Sequence, residues 1–155
     1  MSKLEHVILA LALMLFAQIV PAAPAINTLS GGLFDRDTGV AVRGYDVVAY
    51  FLDGKAVEGQ KQFVTQWMGA TWQFASNEHL QTFLENPTQY APQYGGYCAY
   101  GVAQNKLVSI EPDKFKVLDG KLYLNYDGDV QAKWLLDPAG YIKTADTQFP
   151  ALVKK

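Results

Sequence analysis

The chain has 155 residues, half of them hydrophobic, with a formal net charge of −2 and one cysteine, Cys98. That length suits one domain around a single hydrophobic core. Outside the terminal Lys154-Lys155 there is no basic block, which excludes the clustered positive charge that nucleic-acid binding needs. A lone cysteine also excludes an intramolecular disulfide.

The first segment reads as a secretory leader. Lys3 precedes the apolar run Val7–Val20, and the small residues Pro21-Ala22-Ala23-Pro24-Ala25 follow, with an Ala-x-Ala cleavage site at Ala23-Pro24-Ala25. The apolar run is shorter than the roughly 18 to 20 residues of a permanent helical anchor. The expectation is a leader over 1–25 and an exported, soluble product without a permanent membrane anchor, periplasmic in a Gram-negative cell. Cleavage removes Lys3 and Glu5 together, so the net charge stays at −2. It also removes His6 and leaves His79 as the sole histidine. One cysteine and one histidine exclude zinc sites of four cysteines, two cysteines with two histidines, or three histidines from a single chain.

Residues 26–43 are rich in Gly, Thr and Ser without a period, and are expected to form an irregular arm ahead of a domain over 44–153. Gly44–Phe51 leads into a turn at Leu52–Lys55. Gln62–Ala75 reads as a β-hairpin turning at Met68-Gly69, with Phe63, Thr65, Trp67, Ala70, Trp72 and Phe74 on the buried face. Ser76 is placed to cap a helix over about 77–86 that buries Leu80, Phe83 and Leu84, and Pro87 ends it. Thr88–Tyr94 suits a short further turn of helix. A second hairpin over Phe115–Tyr126 turns at Asp119-Gly120, with Phe115, Val117, Leu122, Leu124 and Tyr126 facing inward. Helices over about 129–136 and 139–153 close the chain, divided by Asp137-Pro138. The expected fold is a small α+β domain with two antiparallel β-hairpins and several short helices.

Four ordered blocks carry a family resemblance: GYDVVAYF, MGATWQFAS, PTQYAPQYGGYCAYG and DGKLYLNY. They resemble the exported bacterial subgroup of YHS domain-containing proteins, so the fold is expected to be of YHS type. Versions of this module in heavy-metal pumps carry cysteines in patterns like DPVCGM and FCSxxCxxxFxxxPxxY. Phe74, Ser76, Phe83, Pro87 and Tyr90 keep that frame here, while the cysteine positions hold Ala49, Ala75 and His79. The resemblance thus implies a soft-metal module in which two ligand positions have become methyl groups.

Candidate site residues follow from what remains. His79 and Cys98 are the two side chains able to hold a soft metal, copper or zinc, with Cu(I) favoured because it accepts few ligands and prefers sulfur. Tyr45, Asp46, Tyr94 and Tyr97 are possible further members of such a site. Each residue also has a plainer role. Cys98 suits a small buried hydrophobe or an intermolecular disulfide, and no Lys or Arg nearer than Lys106 favours its thiolate. His79 sits at the border of its helix face, where a local hydrogen bond is the ordinary use. Asp46 is placed to cap the short helix after it. Trp67, Trp72 and Trp134 occupy apolar positions suited to packing. No nucleophile-elbow or zincin motif marks an enzyme, and no catalytic residue is assigned. Two functions stand: binding of a metal ion or small ligand near His79 and Cys98, or a non-catalytic interaction or structural module. In the second, the Tyr-rich GGYCAYG surface meets a protein partner.

Overall fold

A computed structural model describes residues 22–154. The leader expected over 1–25 therefore falls mostly outside the described residues. Among the described residues, no helix is long and apolar enough to cross a membrane.

The fold is α+β. Helix α1 (Ala49–Leu52) precedes strands β1 (Gln60–Trp67) and β2 (Ala70–Phe74), then α2 (Asn77–Glu85), α3 (Pro87–Tyr90) and α4 (Ala99–Ala103). Strands β3 (Glu111–Leu118) and β4 (Lys121–Asn125) follow, and α5 (Gly128–Trp134) and α6 (Pro138–Leu152) close the chain. Each strand pair forms its own two-stranded antiparallel sheet. The turns lie where the sequence puts them. Met68-Gly69 has φ of +49° and +78°, and Asp119-Gly120 has +51° and +71°, so both central residues of each turn are left-handed. That geometry matches strand twist in two-residue hairpins.

The first hairpin has the expected face. Trp67 pairs with Ala70 and Thr65 with Trp72; Ala70, Trp72 and Phe74 are buried, while Phe63 and Trp67 are half-buried. Helix α2 covers this face through Phe83, whose ring lies 5.3 Å from Trp72, 5.0 Å from Phe74 and 5.7 Å from Trp67. Ser76 starts the helix as expected, its hydroxyl accepting from the His79 amide at 3.1 Å. Leu84, expected inside, is 47% exposed. The inward stripe runs instead through His79, Leu80 and Phe83, one step around the helix.

The second hairpin departs further. Leu122 and Leu124 are buried as expected, but so are Tyr123 and Asn125 on the opposite face, and Tyr126 is 42% exposed. The reason is a second core cluster, in which Tyr94, Tyr97, Val102, Trp134 and Ala145 cover the outer side of β4 around Tyr123. Tyr123 lies 5.2 Å from Trp134. With helices on one side and the main core on the other, β4 has no solvent face, and alternation no longer separates inside from outside.

Residues 26–43 form no strand of the two sheets, yet they are built into the domain. Ile26 and Val42 belong to the main core, and Asn27 is buried. The Asn27 amide donates to the Gly95 carbonyl at 2.8 Å, and its side-chain Nδ2 donates to the Gly96 carbonyl at 2.9 Å. Gly95 has φ of +61°, and a Cβ there would fall on the carbonyl oxygen of Ala25. A glycine is required at that crossing for both reasons.

Farther along the same segment, a closed loop projects from the domain. Leu29 bridges Asp37, the Ser30 amide donates to the Arg36 carbonyl at 2.9 Å, and the Thr38 amide donates to the Thr28 carbonyl at 2.9 Å. At its tip stand Leu33, 90% exposed, and Phe34, 86% exposed.

Candidate functional site

Asp46 is the most heavily bonded side chain of the candidate set. It is fully buried. Its Oδ1 accepts from the amides of Val48 at 2.8 Å and Ala49 at 3.2 Å, which is the expected capping of α1. Its Oδ2 accepts from the Ala75 amide at 2.8 Å and lies 2.6 Å from His79 Nδ1. An ionised carboxylate offers about four acceptor positions, and Asp46 uses four. Since Oδ2 can only accept, His79 carries its proton on Nδ1 and leaves Nε2 as the open nitrogen.

This arrangement joins three parts of the chain: the start of α1, the end of β2 and the first turn of α2. A buried carboxylate without partners is costly, but here every lone pair meets a donor. His79 is 14% exposed at its side chain, so the pair sits just beneath the surface. The same pull accounts for the rotation of α2, because drawing His79 inward turns Leu84 out.

Cys98 has a different set of partners. It is fully buried and is the residue that precedes α4. Its Sγ accepts from the Gly101 amide at 3.3 Å and lies 3.9 Å from Asn125 Oδ1, which the thiol proton faces. Burial pushes the thiol pKa up, against weaker opposing pulls from the backbone amides of Gly101, Tyr126 and Tyr100. The proton therefore stays on sulfur at neutral pH, which makes Cys98 a poor nucleophile as it stands. Asn125 is fully buried, yet its Nδ2 has no hydrogen-bond partner. Beside Cys98 lies a largely apolar cavity of about 220 Å³, with Tyr100, Val108, Tyr126 and Val130 in its lining and the exposed Gln104 and Lys106 at its edge.

The structure brings Asp46 to His79, a contact across 33 positions of chain. It shows no hydrogen bond between His79 and Cys98, and His79 is not part of the Cys98 cavity. Tyr45 is half-buried and pairs through its backbone with Glu58. Tyr94 and Tyr97 are buried, and their hydroxyls fasten distant segments. Tyr94 donates to Asp146 at 2.9 Å, and Tyr97 donates to the Pro24 carbonyl at 3.1 Å. Burial, followed by the Asp146 carboxylate, pushes the Tyr94 hydroxyl far above the usual phenol range. The GGYCAYG stretch is thus mostly interior, a correction to its reading as a contact surface.

The donor set does not fit a soft-metal site shared by His79 and Cys98. Ala49 and Ala75 present methyl groups, and His79 and Cys98 share neither a cavity nor a hydrogen bond. Among the described residues, no three His, Cys, Asp or Glu side chains converge to hold an ion. Sequence reasoning placed Asp46 as a cap but left its bond to His79 open. The signal for it was the block GYD itself, whose carboxylate has two oxygens and only one is used by the local cap.

Residues 48–94 match the family model of the YHS domain. The chain therefore contains a YHS domain over this stretch, a domain often linked to metal binding. No curated protein and no solved structure gave a match. The matched stretch includes His79 and stops before Cys98, the second hairpin and the C-terminal helices.

Proposed function

We propose that the protein is an exported, non-catalytic YHS module that acts by contacting another protein, its former metal-ligand positions having become parts of the fold. The observation that carries this reading is the Asp46 carboxylate. Its four accepted bonds make His79 a structural partner, while the two neighbouring ligand positions hold alanines. An exposed apolar element, Leu33 with Phe34, supplies the contact surface such a module needs. The leader-like segment over 1–25 supports export.

A second reading, metal binding, is favoured by one feature. Metal-ligating histidines commonly donate their other ring N–H to a carboxylate, and Asp46 holds His79 in that way with Nε2 open. Titration of Cu(I) and Zn(II) against a competing chelator, on the parent and on His79→Ala, separates the two. The interaction reading expects equal affinities. A loss of more than about 100-fold in His79→Ala, beyond what an outer-shell change produces, would establish the metal reading instead.

A further inference from the structure

The tip of the 29–37 loop is highly exposed, and the base of the loop is tied by the bonds between Thr28, Ser30, Arg36 and Thr38. Gly31 rests against the Arg43 guanidinium. Arg43 in turn donates to the Ile110 carbonyl at 3.2 Å. A loop tied at its base that presents two large apolar side chains to solvent leaves unfavourable hydration unrelieved.

The Cys98 cavity is its natural complement. At about 220 Å³ it falls below the roughly 300–1,000 Å³ of small-molecule sites, and its apolar lining suits one aromatic side chain. One pair of charges is complementary. Asp35 follows Phe34 directly, Lys106 stands at the cavity edge, and neither forms an ion pair among the described residues. The two elements also lie side by side. Gly31, Gly32 and Tyr126 line one further cavity, and Tyr126 also lines that of Cys98.

We propose that the chain forms a two-fold homodimer in which Phe34 of each copy enters the Cys98 cavity of the other and Asp35 faces Lys106. This rests on the interaction reading above and names its partner as a second copy. A protruding tip beside its own receptor permits reciprocal exchange, so both tips are covered in one closed, isologous contact. The contact is small. Two tips and two cavity mouths bury less than the roughly 1,200 Å² of a standard interface, so the dimer is a weak one.

Sedimentation equilibrium on the purified protein tests this. The expected result is a reversible dimer with a dissociation constant on the order of 100 µM. Phe34→Ser, at an exposed position that leaves the melting temperature unchanged, should weaken it at least about tenfold as loss of the central anchor. Lys106→Glu should weaken it about two- to fivefold, and Asp35→Lys added to it should recover most of that loss. A protein that stays monomeric to about 1 mM, far above the expected constant, overturns the proposal. So does a Phe34→Ser variant that dimerises like the parent, or a charge swap without recovery. Phe34-dependent binding to phosphatidylcholine vesicles by a monomeric protein would also overturn it, in favour of a lipid surface. None of these failures touches the metal titration, on which the interaction reading stands or falls separately.

Discussion

Two buried polar pairs in this molecule are built in opposite ways. Around Asp46 and His79 every carboxylate lone pair has a donor, and the bonds join segments far apart in the chain. Around Cys98 and Asn125 the bonding is loose. The sulfur has one amide and one long contact, and the Asn125 Nδ2 has nothing. The first pair is a closed network whose members depend on each other; the second tolerates change because little is spent on it. Completeness of the shell, more than burial as such, decides how much a polar group contributes.

The largest expected effect comes from breaking the closed network. Asp46→Ala strands three backbone amides and the His79 ring, and should destabilise the fold by on the order of 5 kcal/mol, read by chemical denaturation. A loss below about 1 kcal/mol would show that water replaces the carboxylate without strain. Trp72→Ala provides the apolar benchmark at about 3 to 5 kcal/mol, since its ring is 1% exposed. If the two variants melt together, one carboxylate holds the domain as firmly as its largest core ring. His79→Ala should cost about 1.5 to 3 kcal/mol, the range for a hydrogen bond to a charged partner. An unchanged melting temperature there would mean that the pair contributes nothing net.

The loose pair should respond least. Cys98→Ser at pH 7 is expected to cost about 1 to 2 kcal/mol, and the folded parent should resist alkylation until it unfolds. The gap between the two proteins should narrow as pH rises. The folded thiol pKa lies above that of the unfolded chain, so its contribution is full below about pH 8.5 and is lost as pH rises through the folded value. Denaturation of parent and Cys98→Ser at pH 7 and pH 10 gives the measurement. A constant difference between them would mean that the thiol titrates alike in both states.

What was legible in the sequence follows the same division. The Met68-Gly69 and Asp119-Gly120 turns, the Ser76 cap and the Trp/Phe face of the first hairpin rest on neighbours within a few residues, and the structure has each of them. Asp46 as a cap for α1 was legible for that reason, since Val48 and Ala49 lie two and three positions away. Its bond to His79 joins two strongly separated segments, and no local rule ranks that partner over another. Tyr123 and Asn125 went inward because α6 and its neighbours cover a face that alternation assigns to solvent, and Leu84 went outward because His79 is drawn in. The docking of Ile26–Val42 was not legible because its bonds run from the amide and side chain of Asn27 to the carbonyls of Gly95 and Gly96, which leave no periodic trace.

The crossing of Gly95 under Ala25 also bears on the leader expected over 1–25. The peptide bond after Ala25 lies where the Ala25 carbonyl meets Gly95, between the Tyr97 bond to Pro24 and the Asn27 bond to Gly95. A peptidase needs an extended, accessible stretch on both sides of its target, and the finished domain denies it one. If the expected leader is cut at that bond, the cut comes before folding. A cut a few residues earlier would escape this constraint and would leave Pro24 in place to receive the Tyr97 hydroxyl.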